Sequence, residues 1–118
     1  MAEICSDLCD REVTLVAERP RLGFWEPQIV GVARMINVRN AREAEVAVVV
    51  ADVWQGKGLG TKLVFGLIEM GRTRGLKRLF GYVLFENQVM RHVCRKLGFA
   101  MRYSASEDAL EAEIKLGF

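Results

Sequence analysis

The chain has 118 residues, of which 51% are hydrophobic and 27% are charged, and its formal net charge is +2 at pH 7. This length and composition indicate one globular domain, and the nearly balanced charge argues against a nucleic-acid-binding surface. The chain contains no apolar run near the roughly 20 residues of a membrane span and its N-terminus has no apolar signal segment, so we expect a cytoplasmic protein with no membrane partner.

The first half of the chain predicts a series of antiparallel strands. Residues 12–18 alternate between apolar and polar side chains, residues 28–36 form a second β-rich run, and Pro20 and Pro27 interrupt the chain between them, as in a hairpin. Residues 43–51 follow another turn. The last five residues of this third run are all apolar, which is typical of a central strand covered on both faces.

The second half predicts two helices among further strands. Residues 60–74 have an amphipathic helical pattern, and residues 76–84 then read as a strand parallel to the one before the helix. Asn87 is a suitable N-cap for a second helix, Gly98 suits its left-handed end, and the tail fits two short strands around a turn at 104–108. The pattern predicts an α+β fold with a mixed, mostly antiparallel sheet and one central strand-loop-helix-strand crossover.

Between the central strand and the first helix lies a glycine-rich loop, VWQGKGLGTKLV at 53–64. Glycines at 56, 58 and 60 let backbone approach a ligand, and the N–H groups at the start of a helix favour a phosphate. A glycine-rich turn that binds nothing is the alternative. A Walker A loop would need Gly-Lys-Ser/Thr, and the dinucleotide fingerprint would need a glycine where Thr61 stands, so the loop fits neither motif.

The loop instead resembles the acyl-CoA pyrophosphate loop of the GNAT superfamily of acyl-CoA-dependent N-acyltransferases, Gln/Arg-x-x-Gly-x-Gly/Ala, with Gln55, Gly58 and Gly60 at its positions. A second block, NQVMRHVCRKLGF at 87–99, resembles the Asn-led helix of that family, which ends in Leu-Gly-Phe. The stretch EAEVAVVVADVWQGKGLG looks most like the acetyltransferase domain of bacterial protein-lysine acetyltransferases. The resemblance covers residues 12–118.

The resemblance implies a GNAT-like fold that binds acetyl-CoA or CoA where the central strands separate after a bulged strand. The pantetheine arm would pair with backbone at 48–50, and the pyrophosphate would lie on the N–H groups of residues 56–61. Asn87 would contact the cofactor or serve as a helix cap alone. The cofactor-binding residues expected from the resemblance are Val48, Val49, Val50, Gln55, Gly56, Lys57, Gly58, Leu59, Gly60, Thr61 and Asn87.

The implied reaction is direct attack of a primary amine, expected to be a protein lysine, on the thioester carbonyl. A lysine ammonium must first lose a proton, because its ordinary pKa is about 10.4. Glu45 is the candidate base, since partial burial at the start of the central strand would make its carboxylate a better proton acceptor. A solvent-facing carboxylate paired with Arg42 is the alternative, and Glu43 is the competing base.

The cysteines and the single histidine have weaker claims to chemistry. Cys5 and Cys9 lie four residues apart with no histidine nearby, so the spacing predicts reduced thiols and no metal site. Cys94 stands where many family members carry the tyrosine that protonates the leaving thiolate, and it would act as that acid or as a small apolar filler. His92 lies on the polar side of its helix, which predicts a solvated surface position.

We expect one acyltransferase-like domain over residues 1–118. The family fold begins with a strand and a helix pair on the acceptor side, most of which we expect this chain to lack, with residues 1–11 as the last turns of the helical segment. The acceptor site would then be completed by a second copy, as in a homodimer, or by a neighbouring domain. The alternative to an enzyme is an acyl-CoA-binding regulatory or interaction module that does not turn over.

Overall fold

The computed structural model describes residues 3–8, 11–23, 25–39 and 41–117. A short 3-10 turn, Asp52–Trp54, precedes the first helix. The strands and helices, in chain order, are β1 (Glu3–Leu8), β2 (Glu12–Arg19), β3 (Gln28–Asn37), β4 (Glu43–Val50), α1 (Leu59–Thr73), β5 (Arg78–Val83), α2 (Gln88–Lys96), β6 (Ala100–Ser104) and β7 (Ala109–Lys115).

The strands form one seven-stranded sheet in the order β1-β2-β3-β4-β5-β7-β6. Every neighbouring pair is antiparallel except β4 and β5, which are parallel as expected for strands joined through a helix. The predicted mixed, mostly antiparallel sheet with a central crossover is confirmed. The parallel pairing is short. Glu45 and Phe80 are its last paired residues, and the two strands separate beyond them.

Helix α1 holds one face of the sheet together. Its apolar residues recur three and four positions apart, so they share one side of the helix and are buried, whereas Lys62, Glu69 and Arg72 are exposed. This side packs on β2, β3 and β4, with lesser contact to β5. Each fully buried leucine contributes roughly 1.5–3 kcal/mol. The buried residues of α1 are Leu59, Leu63, Val64, Leu67, Ile68 and Gly71.

Helix α2 begins and ends as its sequence predicts. The Asn87 side chain accepts a hydrogen bond from the Met90 N–H at 3.1 Å, which is the N-cap interaction. Gly98 ends the helix at φ 95°, and the Phe99 N–H donates to the Cys94 carbonyl at 2.9 Å. The helix packs against α1 and β6.

Three expectations about the sheet are wrong. Residues 3–8 form an edge strand paired with β2, not a helical segment, because the exposed edge of β2 offers them backbone partners. Strand β4 is covered on one face only: Ala44, Val46 and Val48 point to the core, whereas Val49 is 70% exposed. The register shift lies between β2 and β3 at Ala17/Glu18, while the β3–β4 register shows none.

In the described part of the chain, no helix is long and apolar enough to cross a membrane.

Candidate functional site

A cleft of about 570 Å³ lies where β4 and β5 separate. The end of β4, the glycine loop, the first turn of α1 and one side of α2 form its walls. Because β5 no longer pairs with β4 beyond Glu45, backbone groups of residues 48–50 on that side are open to a ligand. The lining residues are Val48, Val49, Val50, Gln55, Gly56, Gly58, Gly60, Thr61, Asn87, Gln88, Val89, Met90, His92, Val93 and Lys96.

The glycine loop is shaped for an anion. Gly56 has φ 76° and Gly58 has φ 86°, a left-handed conformation that other residues adopt only with strain. A Cβ atom placed on either glycine would meet no atom within 4 Å, so the space above the loop is open. The first turn of α1 leaves the N–H groups of residues 59–61 without carbonyl partners in the helix, and they carry the positive end of its dipole. The loop therefore suits a phosphate or diphosphate.

Gln55 fixes the loop to the end of β4. Its Nε2 donates to the Val50 carbonyl at 3.1 Å and to the Asp52 carboxylate at 3.3 Å, so this residue holds the loop in shape as well as lining the cleft. Trp54 braces the loop from outside, since the Arg19 guanidinium and the Lys57 ammonium lie 5.5 and 5.8 Å from its ring centre. These contacts of Gln55 and Trp54 position the loop at the end of β4.

The side chains of two predicted cofactor residues do not line the cleft. The Leu59 side chain is 6% exposed and belongs to the core, and the Lys57 ammonium lies over the Trp54 ring. The cleft does contain the other predicted residues, Val48, Val49, Val50, Gln55, Gly56, Gly58, Gly60, Thr61 and Asn87.

Sequence reasoning missed the contribution of α2 to the cleft. Gln88, His92 and Lys96 are spaced four residues apart, so they form one stripe on the helix, and all three line the cleft. His92 is exposed, as predicted, but it faces this cleft rather than open surface. Among the described lining residues none is acidic, and Lys96 carries a full positive charge. The i, i+4 polar stripe was visible in the sequence, but its direction was not.

Glu45 lies outside this first cleft. It is exposed on the uncovered face of β4, which it shares with Ala47 and Val49, and it lines a second cleft of about 340 Å³. Val49 lines the first cleft and is four residues from Glu45 along the strand, a distance of roughly 13 Å. Ala47 lies between them on the same face. The residues lining the second cleft are Arg11, Arg34, Ile36, Asn37, Val38, Arg39, Glu45, Val46 and Ala47.

The expected partial burial of Glu45 is wrong, because no described element covers that face of β4 at this residue. Among the described side chains it forms no ion pair with Arg42, whereas Glu43 lies 3.6 Å from the Arg78 guanidinium. The pKa of the nearby Tyr82 hydroxyl is raised by burial and by the charges of Glu111, Glu107 and Glu45. The Glu45 carboxylate, without an ion-pair partner among the described side chains, therefore stands beside the gap between β4 and β5.

Cys94 is also away from the cleft. The thiol is 5% exposed within the core, and burial raises its pKa to about 11. This position matches the apolar filler that the sequence left open as the alternative to an acid. Nor do the described residues hold any group of three or more His, Cys, Asp and Glu side chains placed to bind a metal ion.

Comparisons with known proteins agree with this geometry. A model of the Acetyltransferase (GNAT) family matches residues 5–99. Spermidine N(1)-acetyltransferase of Escherichia coli strain K12 is 30% identical over 98 residues, covering 81% of this chain and 53% of that protein. Acetyltransferase Pat of Mycolicibacterium smegmatis is 37% identical over 92 residues, covering 78% of this chain and 26% of that protein.

Solved structures extend the likeness to the fold. A cAMP-binding acyltransferase from Mycobacterium smegmatis superposes with a TM-score of 0.73 at 28% identity, over 92% of this chain and 32% of that one. The chain thus spans about half or less of the length of these relatives. The family match covers most of the chain, and both sequence motifs lie at the first cleft. The chain is a member of the GNAT acetyltransferase family.

Proposed function

We propose that this chain is an N-acetyltransferase domain that transfers the acetyl group of acetyl-CoA to a primary amine, and that the amine is the side chain of a protein lysine. The observation that supports this most is the first cleft, where two separated strands lead to a glycine loop at a helix N-terminus. A neutral arm fits between the strands, and an anionic end fits on the loop.

Different residues of the first cleft would bind different parts of the cofactor. Open backbone groups at 48–50 would pair with the amides of the pantetheine arm as an added strand would. The N–H groups at the start of α1 would hold the diphosphate, with Lys96 providing a charge on the α2 side. Gly56 and Gly58 would keep the approach free of side chains.

Bound acetyl-CoA would supply a thioester, whose carbonyl carbon accepts the amine. An N–C bond forms, the C–S bond breaks, the acetyl group ends on nitrogen, and the sulfur leaves as a thiolate that takes up, through water, the second proton that the nitrogen loses, which gives CoA. Glu45 would take the proton that the ammonium must lose, directly or through water, because it stands on the face of β4 that stays open to an acceptor. Its exposed position leaves room for a residue on the surface of another protein.

The experiment is incubation with acetyl-CoA and lysine-containing peptides, with CoA release followed by a thiol reagent and the product identified by mass spectrometry. We expect one acetyl group on the lysine Nε for each CoA released. Spermidine, the substrate named for one relative, is the comparison acceptor. Hydrolysis of acetyl-CoA without an acetylated product would contradict the proposal.

A non-catalytic acyl-CoA-binding module remains the second candidate, and the position of Cys94 favours it. The residue at the expected acid position is buried in the core and outside the first cleft, so it offers no proton to a leaving thiolate. The two functions separate cleanly in the same samples. Calorimetric binding of CoA without CoA release on any lysine peptide or on spermidine would select the module.

A further inference from the structure

The second cleft lies on the uncovered face of β3 and β4, beside Glu45. Arg34 stands directly across from Ala47, and Ile36 directly across from Glu45, so the cleft continues along the same strand face that leads to the first cleft. Arg11 at the start of β2 and Arg39 in the β3–β4 turn close its other sides. The cleft is therefore adjacent to the expected site of acetyl transfer.

Its charge is positive. Among the described lining residues, three guanidinium groups stand against one carboxylate, that of Glu45. Arg34 is already neutralised, because its Nη2 and Nε donate to the Glu12 carboxylate at 2.6 and 2.9 Å. Arg11 contacts only a backbone carbonyl, that of Asn37, at 3.4 Å, and no described carboxylate forms an ion pair with Arg11 or Arg39. Within the described part of the chain, the Arg11 and Arg39 guanidinium groups are thus without a carboxylate partner.

Asn37 also lines the cleft, and within the described part of the chain its buried Oδ1 atom has no hydrogen-bond partner. A buried amide oxygen without a partner is costly. Because the atom is shielded from solvent, a ligand N–H would reach it only once the Asn37 side chain turns towards the cleft.

We propose that the second cleft binds a carboxylate carried by the acceptor close to its reactive amine, with Arg11 and Arg39 holding the carboxylate. This inference rests on the proposed function and names its acceptor class. The ammonium would lie towards Glu45 and the carboxylate towards the two arginines, so the site selects an acceptor with both charges. A polyamine, which carries positive charges alone, is disfavoured by the same arginines.

The test uses binding to the CoA-loaded protein, because binding requires no chemistry. Two capped peptides differ only in glutamate or glutamine beside the lysine, and calorimetry compares their affinities. We expect the glutamate peptide to bind about tenfold more tightly at low ionic strength, and the difference to shrink as salt rises. Free lysine against lysine amide forms the second arm, which distinguishes an α-carboxylate from a side-chain carboxylate as the group bound.

The variant Arg11→Gln/Arg39→Gln should lose the preference, leaving about twofold or less. Its matched control is Arg72→Gln/Arg95→Gln, which removes the same charge from exposed helix positions outside both clefts and should keep the preference. Circular dichroism confirms that both variants are folded.

Several results would overturn the inference: equal affinity for the two members of each pair, a preference that survives in Arg11→Gln/Arg39→Gln, no measurable binding of any of these acceptors, or tighter binding of spermidine. The proposed function fails separately. If the carboxylate preference is present but no acceptor yields acetylated product, the proposed carboxylate site is supported and the proposed transferase activity is contradicted. If acetyl transfer proceeds without any carboxylate preference, the transferase activity is supported and the proposed carboxylate site is contradicted.

Discussion

Gly81 on β5 faces the carbonyl of Val46 on β4 so closely that a Cβ atom at Gly81 would lie 2.6 Å from the carbonyl oxygen. Val46 directly follows Glu45, the last β4 residue paired with β5. Because glycine has no side chain, the two backbones can touch at this point before the strands separate. Gly81 therefore permits this close contact next to the last paired residues of β4 and β5.

Gly81→Ala should reduce the free energy of unfolding by about 1–3 kcal/mol, because a backbone carbonyl cannot move aside cheaply. Urea denaturation measures the change. The control is Gly66→Ala in α1, whose Cβ would meet only the Leu15 Cδ1 at 2.8 Å, the end of a flexible side chain. Alanine also favours the helix there, so the control should lose less. Equal losses in the two variants would contradict this account.

Gly58→Ala should weaken CoA binding by at least about tenfold, since its new methyl group would occupy the approach to the anion site. Gly75→Ala is the matched control. Both glycines have a positive φ, 86° and 74°, and open space around the missing Cβ, but Gly75 lies at the other end of α1. The strain of about 1 kcal/mol should be similar in both. Calorimetric titration measures the affinity of both variants for CoA. Equal affinities would contradict the assignment of the loop as the anion site.

Lys96→Gln should weaken CoA binding about threefold to tenfold at low salt, and the effect should fall as ionic strength rises. Arg95→Gln removes the same charge from the neighbouring residue, which is exposed but does not line the first cleft. It should have little effect on affinity. The measurement is the dissociation constant of CoA for both variants over a range of salt concentrations. Identical curves for the two variants would show that α2 attracts CoA only through its overall charge.

Glu45→Gln should lower turnover roughly a hundredfold at neutral pH with little change in CoA affinity, because the amide keeps the shape and loses the basicity. Its rate should partly recover at high pH, where the acceptor amine loses its own proton near pKa 10.4. Glu43→Gln is the comparison, and it should affect stability more than rate, since Glu43 pairs with Arg78. Wild-type turnover in Glu45→Gln on a confirmed acceptor would assign Glu45 a structural role.

Cys94→Ala should retain turnover within about twofold and lose about 1 kcal/mol of stability, as expected for a buried filler. The pH dependence supplies a second readout. Burial raises the pKa of the Cys94 thiol to about 11, above the value of about 8.5 in an unfolded chain, so the thiol stabilises the fold fully below the lower value. That contribution is lost as the pH rises towards the folded pKa. The wild type should therefore lose stability over this range more steeply than Cys94→Ala; a large fall in turnover would instead restore the acid role.

The sequence alone determined most elements of the fold and the position of the glycine loop. Alternation at 12–18 and the helical period at 60–74 are local properties, and the structure has β2 and α1 at those places. Gly98 was also readable, because a left-handed backbone at the end of a helix favours glycine strongly. Such features need no knowledge of the rest of the chain.

The tertiary structure alone decided which surfaces are open and which side chains meet. The apolar run in β4 gave no sign that one of its faces would stay uncovered, and with it Glu45 and Val49. Because α2 packs against α1, His92 and Lys96 face the first cleft. Arg11, Arg39 and Glu45 line one cleft only because β2, β3 and β4 lie side by side in the sheet. A local pattern sets the period of a strand or helix, whereas the environment of each face depends on elements distant in the chain, and that is settled by packing.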